Sequence, residues 1–197
     1  MALYVIRHGE TAWSLTGQHT GRTDLQLTAH GEAQALALTP WLRRIVFSRV
    51  LTSPRQRARR TCALAGQADS SIAEPLLAEW DYGDYEGLRS ADIAATRPGW
   101  NVFADGCPGG ETPGDVSQRA DRLIESLAMI EGDIALFGHG QFSVVLAARW
   151  IGLAVHQAQH LTLGPATLSI LGHRAGYEQT RSITLWNADP SLLQAKA

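Results

Sequence analysis

The sequence predicts an α/β fold, a three-layer α/β/α sandwich on a mainly parallel sheet. Three observations predict it. Short apolar runs alternate with amphipathic stretches of helical length along most of the 197 residues, the pattern of strand–helix–strand crossovers. Several of those runs end directly on polar residues and glycines, as strands do at the edge where a parallel sheet binds its ligand. A chain of this length suits one core and buries roughly 70% of its unfolded surface, so residues 1–197 read as a single domain.

Leu3 to Ile6 is a buried strand that runs into the turn Arg7-His8-Gly9. Residues 11–27 hold four threonines and two glycines and read as a loop. Thr28 is the N-cap of a helix whose apolar spacing continues to Leu42. Val50 to Thr52 is a second strand. Ser53 then caps a helix, with Pro54 in its first turn, that runs to about Ala65 before Gly66. Residues 72–88 open on a strand and turn at Gly83 and Gly87. Residues 98–114, with three prolines and five glycines, read as a surface loop. Residues 115–130 form an amphipathic helix with Val116, Ala120, Leu123, Leu127 and Ile130 on one face. Ile134 to Phe137 is a strand that stops at Gly138-His139-Gly140, and a helix follows from about Phe142 to Trp150. Thr167 to Leu171 and Ser182 to Trp186 read as late strands, and the tail after Pro190 as loosely held.

Composition removes several function classes. A net charge of −2 gives no global attraction to nucleic acid or to an anionic membrane. No apolar run approaches the roughly 18 to 20 residues of a membrane span, and the N-terminal run is too short for a signal-peptide core. The two cysteines, Cys62 and Cys107, lie far apart and lack metal-ligand spacing. They read as reduced thiols of a cytoplasmic protein. Sixteen of the seventeen basic residues are arginine, and the one lysine is Lys196. Chemistry that needs a buried lysine, such as a phosphate-loop lysine or a Schiff base, is excluded.

The chemistry gathers at the predicted strand ends. His8 sits beside Arg7 after one strand, and His139 stands between two glycines after another. Ser53 is followed by Arg55, Arg57, Arg59 and Arg60. A solvated basic face would explain some of these arginines. It explains less well why they follow directly from a strand end, where a helix N-terminus with guanidinium groups binds anions. Two imidazoles and two or more guanidinium groups around one anion suit phosphoryl transfer, with a neutral imidazole as nucleophile and arginine forks on the oxygens. The leaving group needs an acid, and Glu79, Asp81, Asp84 and Glu86 supply four carboxyl groups on a turn-rich stretch.

With these residues in place, the chain resembles the histidine phosphatase superfamily, in its phosphoglycerate mutase-like branch. The motifs are Arg7-His8-Gly9-Glu10-Thr11, Thr20-Gly21-Arg22-Thr23-Asp24, Ser53 to Thr61, Glu79 to Gly87, Gly110-Glu111-Thr112 and Gly138-His139-Gly140. They stand in the family's order and cover residues 3 to about 150. In look the chain is closest to small sugar-phosphate and acid phosphatases of the sedoheptulose bisphosphatase type. The resemblance implies a phosphoglycerate mutase-like fold. It also implies His8 as phosphoryl acceptor, Arg7, Arg57 and His139 around the phosphate, and Glu79 as proton donor and later base. Arg57 rather than Arg55 fits the family spacing. Thr20, Gly21 and Tyr82 match substrate-contacting positions, Gly140 offers its amide, and Ser14 stands where many relatives have asparagine.

The function this implies is hydrolysis of small phosphorylated metabolites, sugar phosphates or bisphosphates, through a phosphohistidine, with no cofactor and no metal. Two alternatives stand beside it. A cofactor-dependent phosphoglycerate mutase would use the same histidine, but mutases carry a longer insertion after the acid segment and a substrate-binding lysine there. A phospho-ligand binding module with a dead site would have lost one of His8, Arg57, Glu79 or His139, and all are present. The expected partner is a small phosphorylated metabolite, not nucleic acid or membrane, and a homodimer is compatible with the sequence. His156 and His160 stand at a metal-compatible spacing that no nearby carboxylate or cysteine strengthens. His19, His30 and His173 are expected at the surface, although His19 lies in the mouth loop, and Trp80 and Trp100 are expected near the substrate.

Overall fold

In the computed structural model, which describes residues 1–190, the sheet has six strands: β1 (Leu3–Arg7), β2 (Phe47–Thr52), β3 (Ser71–Ala73), β4 (Asp133–Gly138), β5 (Leu168–Arg174) and β6 (Tyr177–Ala188), in the order β3-β2-β4-β1-β5-β6. Strands β3, β2, β4 and β1 run parallel to one another, and β5 and β6 complete one edge antiparallel. The sequence hid the length of that last pair. Only two residues, Ala175 and Gly176, separate the strands, and the outer ends carry polar residues such as His173, Arg174 and Arg181 that show no apolar run.

Alternation along the strands makes the layers. Leu3 and Val5 of β1, and Ile134 and Leu136 of β4, face one core, while Ile6 of β1, and Ala135 and Phe137 of β4, face the other. The first core is covered by α7 (Pro113–Leu127) and α8 (Gly140–Trp150). The second is covered by α2 (Ala29–Ala37), α3 (Thr39–Leu42) and α4 (Gln56–Leu64). Helix α1 (Ala12–Thr16) and the short helices α5 (Ser90–Thr96) and α6 (Val102–Asp105) lie in the connections. Helix α8 is buried along most of its length, which explains its nearly continuous apolar sequence.

Several boundaries differ from the sequence reading. The expected loop 11–27 begins with α1, whose N-cap Thr11 exchanges a capping box with Ser14. The helix expected from Thr28 to Leu42 breaks at Leu38, because Pro40 lacks an amide hydrogen and sits in the first turn of α3. Helix α4 starts after Arg55, so Ser53 and Pro54 precede it. Thr112 caps α7 with Asp115 as its reciprocal partner, two residues earlier than expected. The surface loop 98–114 contains α6. The tail after Pro190 lies outside the described residues.

Candidate active site

Three neighbouring strands, β2, β4 and β1, end side by side. Ser53 N donates to Phe137 O at 2.8 Å, and His8 N donates to Gly138 O at 3.0 Å. These ladder extensions place Ser53, His139 and His8 on one sheet edge, as the α/β architecture requires of residues just past the carboxyl ends. The imidazole rings of His8 and His139 meet edge to face with centroids 5.3 Å apart.

His8 is 5% exposed and faces a cavity of about 400 Å³. Its Nδ1 lies 2.7 Å from Gly9 O. A carbonyl only accepts, so Nδ1 carries the proton and Nε2 keeps its lone pair. Burial and the guanidinium charges of Arg7 and Arg57 hold its pKa well below the ordinary 6.5, against a smaller opposing effect of the Gly9 bond. His139 is fully buried and bridges two groups: Arg57 Nε–H donates to its Nδ1 at 3.2 Å, and its Nε2 lies 2.7 Å from Ser53 Oγ. Burial, with the charges of Arg57 and the neighbouring groups, likewise depresses its pKa.

Arg57 is wholly buried, with Nη1 donating to Thr23 O and Nη2 to Thr20 O, each at 2.8 Å. It thereby pins the loop over the site. Arg59 and Arg60 are exposed, and Arg60 pairs with Glu32. Arg55 is half-buried and acts electrostatically on Arg57 and His139. Arg7 lies at the cavity floor, where Nη1 donates to Leu163 O and the buried Nε has no partner. An unpaired buried donor beside a neutral imidazole is suited to an anion. Gly140 makes this possible: a Cβ there would stand 3.3 Å from Arg7 Cζ.

Glu79, 9% exposed, sits over the N-terminus of α8. Its Oε1 accepts from Trp80 N at 2.9 Å and Phe142 N at 2.7 Å, and Oε2 accepts from Gln141 N at 3.0 Å. Oε2 has the spare lone-pair capacity. Beneath it, Arg119 donates to the carbonyls of Leu76 and Ala78 and forms a two-bond fork with Glu111 at 2.8 Å for each bond. Of the other carboxylates of the segment, Asp84 is exposed and two are occupied. Asp81 pairs with Arg22 at 2.6 Å, and Glu86 accepts from the amides of Gly21 and Thr23.

Of the residues expected at the site, Arg7, His8, Ser14, Thr20, Glu79, Tyr82 and Gly140 line the cavity. Arg57 and His139 stand directly behind it. Gly21 does not line it. Its nitrogen is bonded to Glu86, and a Cβ would fall 2.4 Å from Trp80 O, so its place is a close backbone crossing. Ser14 Oγ is engaged in the α1 cap, accepting from Thr11 N at 2.8 Å and donating to Thr11 O at 3.0 Å. Donation to a phosphate oxygen would require breaking the bond to Thr11 O.

Two further expectations change. His19 is not a surface residue: it is 8% exposed, lines the cavity, stacks on Tyr82 at 4.5 Å and lies 3.3 Å from Ser90 Oγ. Trp80 is fully buried core, its Nε1 donating to Glu111 O, and Trp100 packs behind His19 at 5.4 Å, so neither indole lines the cavity. His156 and His160 lie on the 3-10 turn Val155–His160, where three residues complete a turn and positions four apart diverge. The sequence reading also missed Ser53 as the partner of His139 and the Arg119–Glu111 fork. The motif Gly110-Glu111-Thr112 was the available signal for the fork.

The chain matches the family model described as histidine phosphatase superfamily (branch 1) over residues 3–189. It is 38% identical over 182 residues to an acid phosphatase of Mycobacterium tuberculosis, covering 90% of this chain and 89% of that protein. It is 35% identical over 185 residues to sedoheptulose 1,7-bisphosphatase of Saccharomyces cerevisiae, covering 78% and 68%. The solved structure of an open reading frame from Mycobacterium tuberculosis superposes with a TM-score of 0.90 at 35% identity, covering 96% of this chain and 98% of that one.

Proposed function

This chain belongs to the histidine phosphatase superfamily, branch 1, and from that premise we propose that it is a metal-independent phosphomonoesterase that hydrolyses small phosphorylated metabolites by way of a phosphohistidine on His8. The observation that carries this reading is the contact of His8 Nδ1 with Gly9 O at 2.7 Å, which leaves the Nε2 lone pair free in a cavity that Arg7, with its unpartnered Nε, also lines.

In the first step His8 Nε2 forms the N–P bond as the bond from phosphorus to the ester oxygen breaks. The electron pair leaves on that oxygen, which takes a proton from Glu79 Oε2. In the second step water attacks the phosphohistidine and gives its proton to Glu79, the N–P bond breaks, and inorganic phosphate departs. Arg7 and Arg57 stabilise charge on the phosphoryl oxygens. Tyr82, whose pKa burial and Glu79 raise well above 10, stays a neutral hydroxyl.

The family match over residues 3–189 supports one histidine phosphatase domain. No helix among the described residues is long and apolar enough to cross a membrane. Both cysteines are free and buried, which fits the cytoplasm as location. The test is phosphate release from p-nitrophenyl phosphate in the presence of a chelator, together with phosphorus NMR of the enzyme quenched in alkali, where the N–P bond survives. Chelator-resistant turnover and an acid-labile phosphohistidine, both lost in His8→Ala, are expected. Normal activity in His8→Ala would refute the assignment.

A further inference from the structure

The phosphate-binding floor occupies only part of the cavity, and the remaining wall determines which ester fits. Its polar side chains include Gln18, Ser90, Gln141, Gln159 and Thr162. Between them stand Phe103, Val144 and Leu161. Among the described residues, Arg7 is the only arginine or lysine that lines the cavity, and it lies at the floor.

Two nearby exposed cations are paired, and Arg55, half-buried with an unpartnered Nε, does not line the cavity. Arg22 is 2.6 Å from Asp81, and Arg89 forms a fork with Asp92 at 2.8 and 2.7 Å. His19 is held toward its neutral form by burial, although Glu86 opposes this. Glu79 adds a carboxyl group to the same wall.

We infer that this cavity selects phosphate monoesters with an uncharged, hydroxyl-bearing leaving group and discriminates against substrates with a second anionic group, whether phosphate or carboxylate. The inference rests on the phosphohistidine reading above and narrows its substrate class. A second anion entering this chamber exchanges water for neutral amides and hydroxyls. Neutral hydrogen bonds return less than the desolvation of a full charge costs. The hydroxyls of a sugar or polyol match the glutamines and threonine, and its carbon face matches Phe103, Val144 and Leu161.

Two matched pairs test this: glycerol 3-phosphate against 3-phosphoglycerate, and fructose 6-phosphate against fructose 1,6-bisphosphate. Each compound is assayed for kcat/KM and, so that slow substrates are still ranked, as a competitive inhibitor of p-nitrophenyl phosphate hydrolysis. The singly anionic member of each pair is expected to win by roughly tenfold or more. Equal values, or preference for the doubly anionic member in either pair, would overturn the inference. If p-nitrophenyl phosphate is turned over in a His8-dependent manner while the bisphosphate wins, only the selectivity fails. If p-nitrophenyl phosphate is not turned over, the phosphatase reading fails and takes the inference with it. Gln141→Arg, or Gln159→Arg if the first does not fold, should move the ratio roughly tenfold toward the doubly anionic member. An unchanged ratio in an active variant also counts against the inference.

Discussion

The amide of Phe142 lies 2.7 Å from Oε1 of Glu79, so the first turn of α8 holds the side chain that the mechanism uses as acid and base. The same turn follows directly from His139, its N-cap residue. One strand–helix junction therefore positions the histidine that orients Arg57 and the carboxyl group that serves the leaving oxygen.

Glu79→Gln removes the proton donor and base while keeping the side chain's shape. Hydrolysis of an unactivated sugar phosphate should fall by roughly 10²- to 10⁴-fold, the usual contribution of a positioned acid or base. Phosphohistidine should still form from p-nitrophenyl phosphate, whose leaving group needs little protonation, and a quench-flow burst would reveal it. Near wild-type turnover of the unactivated ester would mean that another group is the acid. Asp81 and Glu86 are poor replacements, since Arg22 and the amides of Gly21 and Thr23 already engage them.

Arg57→Lys keeps the charge but not the fork that reaches Thr20 O, Thr23 O and His139 at once. A loss of about 2–4 kcal/mol of transition-state stabilisation is expected, read from kcat/KM. Arg55→Lys should cost much less, because the Arg55 side chain makes none of these bonds to His139 or the loop. The opposite ranking would show that Arg55 is the phosphate ligand.

Arg119 holds the backbone just before Glu79 and is itself held by Glu111. Arg119→Met should lower kcat more than it raises KM, because it frees the acid rather than the binding floor. Removing one partner of this partly buried pair should also destabilise the fold, by about 1–3 kcal/mol. Denaturant midpoints for Arg119→Met, Glu111→Gln and the double variant would give the coupling between the two. A coupling near zero would remove the fork as a cause.

Acid should act on rate and stability in different ranges. Because burial and the flanking arginines lower the His8 pKa, its neutral form persists below pH 6.5 and the acid limb of the rate lies there too. The profile should be bell-shaped with its maximum at roughly pH 5 to 6.5. For stability, His8, His19 and His139 all have depressed pKa values when folded. The unfolded chain therefore binds more protons once pH drops below about 6.5. The stabilisation is complete above that value and declines as pH falls toward the folded pKa of each group, by at most about 1.4 kcal/mol per pH unit per histidine. Urea unfolding at a series of pH values checks the sign. A midpoint that rises on acidification from pH 7 to 5.5 would contradict it.

The sequence by itself determined the parallel part of the sheet, because β1, β2 and β4 are short apolar runs that end on Arg7-His8, Ser53 and Gly138-His139. It determined the helices whose apolar faces repeat regularly, such as the stripe from Val116 to Leu127. It also named the reacting groups, since their identities and order along the chain are local facts. Only the tertiary structure decided how those groups are used. Ser14 turned inward to its own cap, Gly21 became a backbone crossing, His19 left the surface for the cavity wall, and the amides of Gln141 and Phe142 took hold of Glu79. The physical reason is one of range. Strand and helix periodicities are written within a dozen residues, whereas burial, hydrogen-bond partners and the charge lining a cavity arise between segments as far apart as Glu79 and Phe142, and no local pattern records which segments will meet.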